Sequence, residues 1–173
     1  YKGDELLIAL CFMLGIACYF DYRKGRIPNL LLIFMLISGE ILTGICGKPQ
    51  DMIWFLLKSV VVVLILYPVF RIGALGAGDV KLYGICAGYL PRNKFLFFLF
   101  FSLLIAAVIS LIKIMVQKSA AERFGYFCEY VAGVARSGKF YLYIEDAKER
   151  KTAGICLAGP ILGSLLLYLG GVY

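Results

Sequence analysis

The 173-residue chain contains no histidine and no Cys-x-x-Cys pair. Its six cysteines, Cys11, Cys18, Cys46, Cys86, Cys128 and Cys156, are scattered. That leaves no ligand set for a zinc site, so neither a metal nor a cofactor is expected. Most of the thiols fall inside apolar runs and are read as small packing groups. Charge is scarce as well: 17% of residues are charged and 62% are hydrophobic. A soluble domain is about one-quarter charged and about half apolar. The mean hydropathy of +0.88 excludes that class. No stretch remains from which a sizeable soluble domain could be built, and no internal repeat or low-complexity tract is visible. The first apolar run opens within five residues of Tyr1. It lacks a basic flank and a small-residue cleavage site, and is read as a retained span rather than a signal peptide.

What is present are apolar runs along almost the whole chain. They predict an all-α, polytopic integral membrane protein forming one domain over residues 1–173, with about six transmembrane helices. The six segments are Glu5–Phe20, Asn29–Cys46, Met52–Phe70, Val80–Leu90, Phe95–Val116 and Thr152–Gly171. The fourth is too short to cross alone. The net charge of +7 suits basic membrane-facing loops and requires no nucleic acid. Arg23, Lys24, Arg26, Arg71 and Lys81 lie in one set of connections, as do the basic residues between Lys118 and Lys151. The opposite set carries Lys2, Lys48, Arg92 and Lys94. The richer set is expected to be cytoplasmic, with both termini outside. Within the long connection 117–151, Phe124, Phe127, Tyr130, Val131 and Val134 recur at helical spacing. They predict an amphipathic helix on the membrane surface.

Four ionisable residues stand within or at the ends of these runs: Asp21, Glu40, Lys58 and Asp79. Such residues are costly in lipid and are functional candidates by default. Lys58 is expected to snorkel and serve structure. Glu40 could pair with another helix, line a cavity or meet a substrate. Asp21 and Asp79 fall at the same predicted boundary on different helices. Two carboxyls sharing a site do not easily both ionise, so one keeps a proton. The pair then holds a base to activate water and an acid to protonate the carbonyl oxygen or leaving nitrogen. Hydrolysis of an amide without a metal needs that combination. Gly73, Gly76 and Gly78 ahead of Asp79 are expected to supply positive φ and close backbone approach. Helix ends favour Asp79 as the carboxylate and Asp21 as the acid. Arg23, Lys24 and Lys81 are expected to act on both acids alike.

Gly76-Ala77-Gly78-Asp79 matches the Gly-x-Gly-Asp signature of intramembrane aspartyl proteases. With Val80-Lys81-Leu82 following, and with Asp21-Tyr-Arg-Lys-Gly-Arg-Ile-Pro28-Asn29 upstream, the chain resembles the prepilin (type IV leader) peptidase family. The resemblance covers nearly the whole chain and is weakest over 117–151. It implies that Asp21 and Asp79 are catalytic. It also implies that Gly76, Gly78, Lys81, Arg26, Pro28 and Asn29 belong to the active-site loops or substrate contacts. The implied reaction is cleavage after a glycine in the basic leader of a pilin-like precursor, at the cytoplasmic face of a prokaryotic membrane. The implied partners are such precursors and the bilayer. Many larger members carry a further domain with paired Cys-x-x-Cys motifs and N-methyltransferase activity. These 173 residues resemble the short, protease-only branch often associated with Flp or Tad-type pili. The leader is expected near Glu145, Asp146 or Glu149, and a precursor Glu after the cut near the basic residues. A small proton- or ion-coupled transporter is the alternative. It would place its acids near mid-membrane and would show an inverted repeat.

Overall fold

The computed structural model describes residues 2–116 and 156–172. The predicted surface helix, and Glu145, Asp146 and Glu149, lie outside the described residues. Six helices occur among the described residues: α1 (Lys2–Lys24), α2 (Asn29–Cys46), α3 (Pro49–Arg71), α4 (Ala77–Tyr89), α5 (Arg92–Val116) and α6 (Ala158–Leu169). The all-helical, polytopic reading therefore holds. By length and composition, three of them can cross a membrane, within Glu5–Lys24, Pro49–Arg71 and Arg92–Lys113. Asn29–Ile45 and Ala158–Leu169 are shorter apolar helices. The six helices match the six apolar segments read from the sequence, the fourth of them too short to cross alone. The sixth segment begins its helix at Ala158, several residues after the expected Thr152, which itself lies outside the described residues.

Apart from α4, the helices each bury a stripe and turn much of their remaining apolar surface outward. On α1 the buried stripe is Leu10, Leu14, Ala17 and Asp21, at the spacing of one helical face. Phe12, Ile37, Leu64, Phe100 and Leu111 are among many large apolar side chains left exposed. An outward face of that kind suits lipid, where helices are the usual spanning structure because they satisfy their own backbone. Sparse polar groups tie the interior together. Tyr83 Oη and Ser102 Oγ lie 2.9 Å apart, the Tyr89 hydroxyl donates to Met35 O at 2.8 Å, and Ser164 donates to Phe98 O at 2.8 Å.

α4 is the element around which the others pack. Residues 82–90 are buried on all sides. A helix only 13 residues long rises roughly 20 Å, too little to cross a bilayer. Small residues let α3 approach it. A Cβ on Gly84 would stand 2.9 Å from the backbone O of Ser59, and one on Gly88 would stand 2.6 Å from the Phe55 ring. The C-terminal end of α4 is closed by Lys58, whose ammonium donates to Gly88 O at 2.8 Å and Leu90 O at 3.0 Å. Lys58 does not snorkel. It is directed inward to orphan helix carbonyls.

Candidate active site

The segment after Asp21 is built as a helix terminator. α1 runs on through Asp21 to Lys24, one turn beyond the sequence-based boundary at Phe20. Gly25 has φ +60°, and its N–H donates to Asp21 O at 2.8 Å. A left-handed glycine closing a helix in this way satisfies a carbonyl that has no partner further along the chain. Arg23 and Lys24 sit in that last turn, where positive charge suits the helix end. Pro28 then adopts extended geometry, φ −61° and ψ 132°, and starts α2 at Asn29. The side chain of Asp21 is thereby placed on the buried stripe of α1, 7% exposed.

The segment before Asp79 begins with another glycine terminator. Gly73 has φ +82°; its N–H donates to Phe70 O at 2.9 Å and that of Ala74 to Val69 O at 3.2 Å. This paired arrangement ends α3. Gly76 and Gly78 do not have positive φ, contrary to expectation. Gly76 is extended, at φ −73° and ψ 153°, and Gly78 lies within α4. Their small size is what counts. A Cβ on Gly76 would stand 2.8 Å from Asp79 Oδ2, and one on Gly78 would rest 3.6 Å from Ile27. Asp79 is the third residue of α4, and its Oδ2 accepts the N–H of Gly76 at 3.2 Å. This is the back-reaching half of a capping box.

The two motifs lock together at one end of the bundle. Lys81 Nζ donates to Asn29 Oδ1 at 3.1 Å, and Ile27 is buried against α4 at Gly78. Arg26 is exposed. Asp21 and Asp79 interact electrostatically. The Asp79 carboxyl is pushed up to about 6, first by burial and then by the charge of Asp21, against a smaller opposing effect of the Gly76 N–H. The basic residues expected to act on both acids are engaged elsewhere. The Arg23 guanidinium lies 5.8 Å from the Tyr19 ring centroid, the Lys24 ammonium lies 5.2 Å from that of Phe20, and Lys81 holds Asn29. None of them contributes to the shift at Asp79.

A third element reaches the site that the sequence did not announce. Asp21 Oδ2 accepts the backbone N–H of Ala158 at 3.3 Å, and Cys156 Sγ lies 3.6 Å from Asp21 O. The start of α6 is therefore seated on Asp21. A backbone donor carries no side-chain signature, so no motif could have marked it. Glu40 is not part of this cluster. Its Oε1 is buried without a hydrogen-bond partner, as is Ser59 Oγ. Among the described residues, no group of three or more Cys, Asp or Glu could hold a metal ion.

Two acids from separate helices thus interact at one end of the bundle, and the proton affinity of Asp79 is raised toward neutrality. No curated protein and no solved structure matches the chain. The profile of the type IV leader peptidase family matches residues 8–111, a segment that contains both aspartates and the whole of α2, α3 and α4. The chain belongs to the type IV leader peptidase family.

Proposed function

We propose that the protein is an aspartyl endopeptidase that removes the leader from pilin-like precursors, of Flp/Tad or related type, at the cytoplasmic face of a prokaryotic inner membrane. Family membership supports a type IV leader peptidase-type protease in general. The observation that carries the finer reading is the electrostatic coupling of Asp21 and Asp79. The two sit at the end of α1 and the start of α4, where the Asn29–Lys81 hydrogen bond links the start of α2 to α4.

In this reading, one acid of the pair is ionised and takes a proton from the attacking water. The other is protonated and delivers its proton to the scissile carbonyl oxygen or the leaving nitrogen. The pair is regenerated when the amine leaves. Gly76 keeps a side chain away from Asp79, so an extended precursor backbone can lie beside it, while Gly78 lets α4 pack on Ile27. Arg26, Pro28, Asn29 and Lys81 form the neighbouring rim that meets the precursor. The basic ends of α1 and α3 support a cytoplasmic placement of this face. The proposed activity is proteolysis alone, and its product carries a free amine.

Mass spectrometry of a purified precursor incubated with the purified protein tests this directly. Cleavage after a leader glycine, lost in Asp21→Asn and in Asp79→Asn, is the expected result. Turnover of the wild-type kind in either variant sinks the assignment, and a methyl adduct made by this protein alone sinks the protease-only reading.

A further inference from the structure

α1 presents Asp21 at an end where the helix dipole opposes a carboxylate. Asp21 lies in the last turn of α1, and its own backbone carbonyl is closed by Gly25. Asp79 has the opposite setting, in the first turn of its helix with the Gly76 N–H on Oδ2. From α1 and α4 alone the dyad is lopsided, with a backbone donor on one acid only. α6 corrects this. The first residue of α6, Ala158, is fully buried, and its N–H points to Asp21 Oδ2 at 3.3 Å. The Cys156 thiol beside the same helix start meets Asp21 O at 3.6 Å. A Cβ on Gly159 would lie 3.9 Å from Cys18 Sγ, on the turn of α1 below Asp21, so the approach of α6 is close along that face. Ile161 N–H is already used on Leu157 O, and Pro160 has none to offer.

We propose that the N-terminus of α6 is a working part of the active site, with the Ala158 N–H orienting the Asp21 carboxyl through Oδ2 and supplying the positive helix end that α1 lacks. Ala158 is a positioning residue. Each acid then has one oxygen tied to a backbone N–H, from Gly76 or from Ala158. The second oxygen of each has no hydrogen-bond partner among the described residues. Those second oxygens are the ones available for the shared proton and the attacking water. The inference rests on the protease reading, and it extends the site beyond the segment matched by the family, which ends at residue 111.

Two measurements test it. In the first, the amide linking Leu157 to Ala158 is replaced by an ester, by incorporating the α-hydroxy analogue of alanine at 158, and the pH–rate profile for a precursor is recorded. The expected result is a fall in kcat of about tenfold, an unchanged KM, and an acid limb moved to higher pH. The ester also weakens Leu157 O as acceptor for Ile161, which lowers stability but leaves the limb where it was. A lower kcat with an unmoved limb, or a profile superimposable on wild type, overturns the proposal. The second measurement needs no variant at 158. In the wild-type protein labelled with 15N-alanine, the Ala158 amide proton should shift downfield as the dyad loses its proton, and this titration should vanish in Asp21→Asn. An Ala158 amide that is silent to pH in wild type overturns the proposal even if the ester protein does not fold. If the wild-type protein fails to cut a precursor while the amide still titrates with Asp21, the protease reading has failed and the α6 contact has not.

Discussion

Asp79 carries opposing demands. Burial and the neighbouring charge of Asp21 push its carboxyl from 3.8 up to about 6. The folded protein therefore binds a proton there more tightly than the unfolded chain does. No difference exists below about pH 4, where both states are protonated. A cost to the fold appears as pH rises through 4 to 6 and is complete above 6, reaching about 2–3 kcal/mol. Asp79→Asn removes the charge and retains an oxygen for the Gly76 N–H. It should melt above wild type at pH 8 and close to wild type at pH 4, and an equal gap at both values would rule out this origin. The same substitution, like Asp21→Asn, should lower the rate of precursor cleavage by about 10²–10⁴-fold or more. Gly76→Ala separates position from charge. Its backbone is extended and accepts alanine, yet the new methyl would meet Asp79 Oδ2 at 2.8 Å. Thermal melting should change little while cleavage drops more than about tenfold. A large fall in melting temperature with normal specific activity would contradict that.

At the level of elements, α4 positions one acid at its first turn and depends on neighbours for everything else. Its two ends are treated differently. The first turn is held by Asp79 itself, whereas the last carbonyls are held by Lys58 from α3. Lys58→Met should therefore cost stability, about 1–3 kcal/mol for the acceptors left bare, and leave cleavage per folded molecule intact. A melting temperature equal to wild type would show that those carbonyls find other partners. The α3–α4 seam also depends on size. Gly84→Ala places a methyl 2.9 Å from the main chain at Ser59, which cannot swing aside as a side chain can. A loss of about 1–3 kcal/mol is expected in denaturant unfolding.

For the whole molecule, the ends of α1 and α3 and the starts of α2, α4 and α6 converge on one face. The proposed orientation puts that face in the cytoplasm. A cysteine introduced at Lys24 in a cysteine-free background should react with an impermeant maleimide only from the cytoplasmic side of oriented vesicles. One at Lys48, in the connection from α2 to α3, should react only from the other side. The opposite pattern would invert the topology. Chelators should not slow precursor cleavage, because in the proposed mechanism the acid pair supplies both proton-transfer roles. Loss of activity in EDTA, restored by a divalent metal, would replace the mechanism.

The primary structure by itself determined the helical class and the bounds of α2, and it singled out Asp21 and Asp79 as candidates. Those features are written locally. Apolar spacing puts Asp21 on the same stripe as Leu10, Leu14 and Ala17, and Gly25 and Gly73 mark where the helices stop. The tertiary structure alone decided what surrounds the pair. Arg23 and Lys24, adjacent to Asp21 in the chain, are drawn onto aromatic rings instead, because consecutive helical residues point in different directions. Gly76 proved to matter for the space beside Asp79 and not for positive φ. Lys58 found carbonyls 30 and 32 residues away in the chain. Ala158 reaches Asp21 across 137 residues with a group that every residue but proline possesses. Composition and periodicity report which face of a helix is buried. They carry no information on which backbone donor will be packed against that face, since this follows from how the helices pack together.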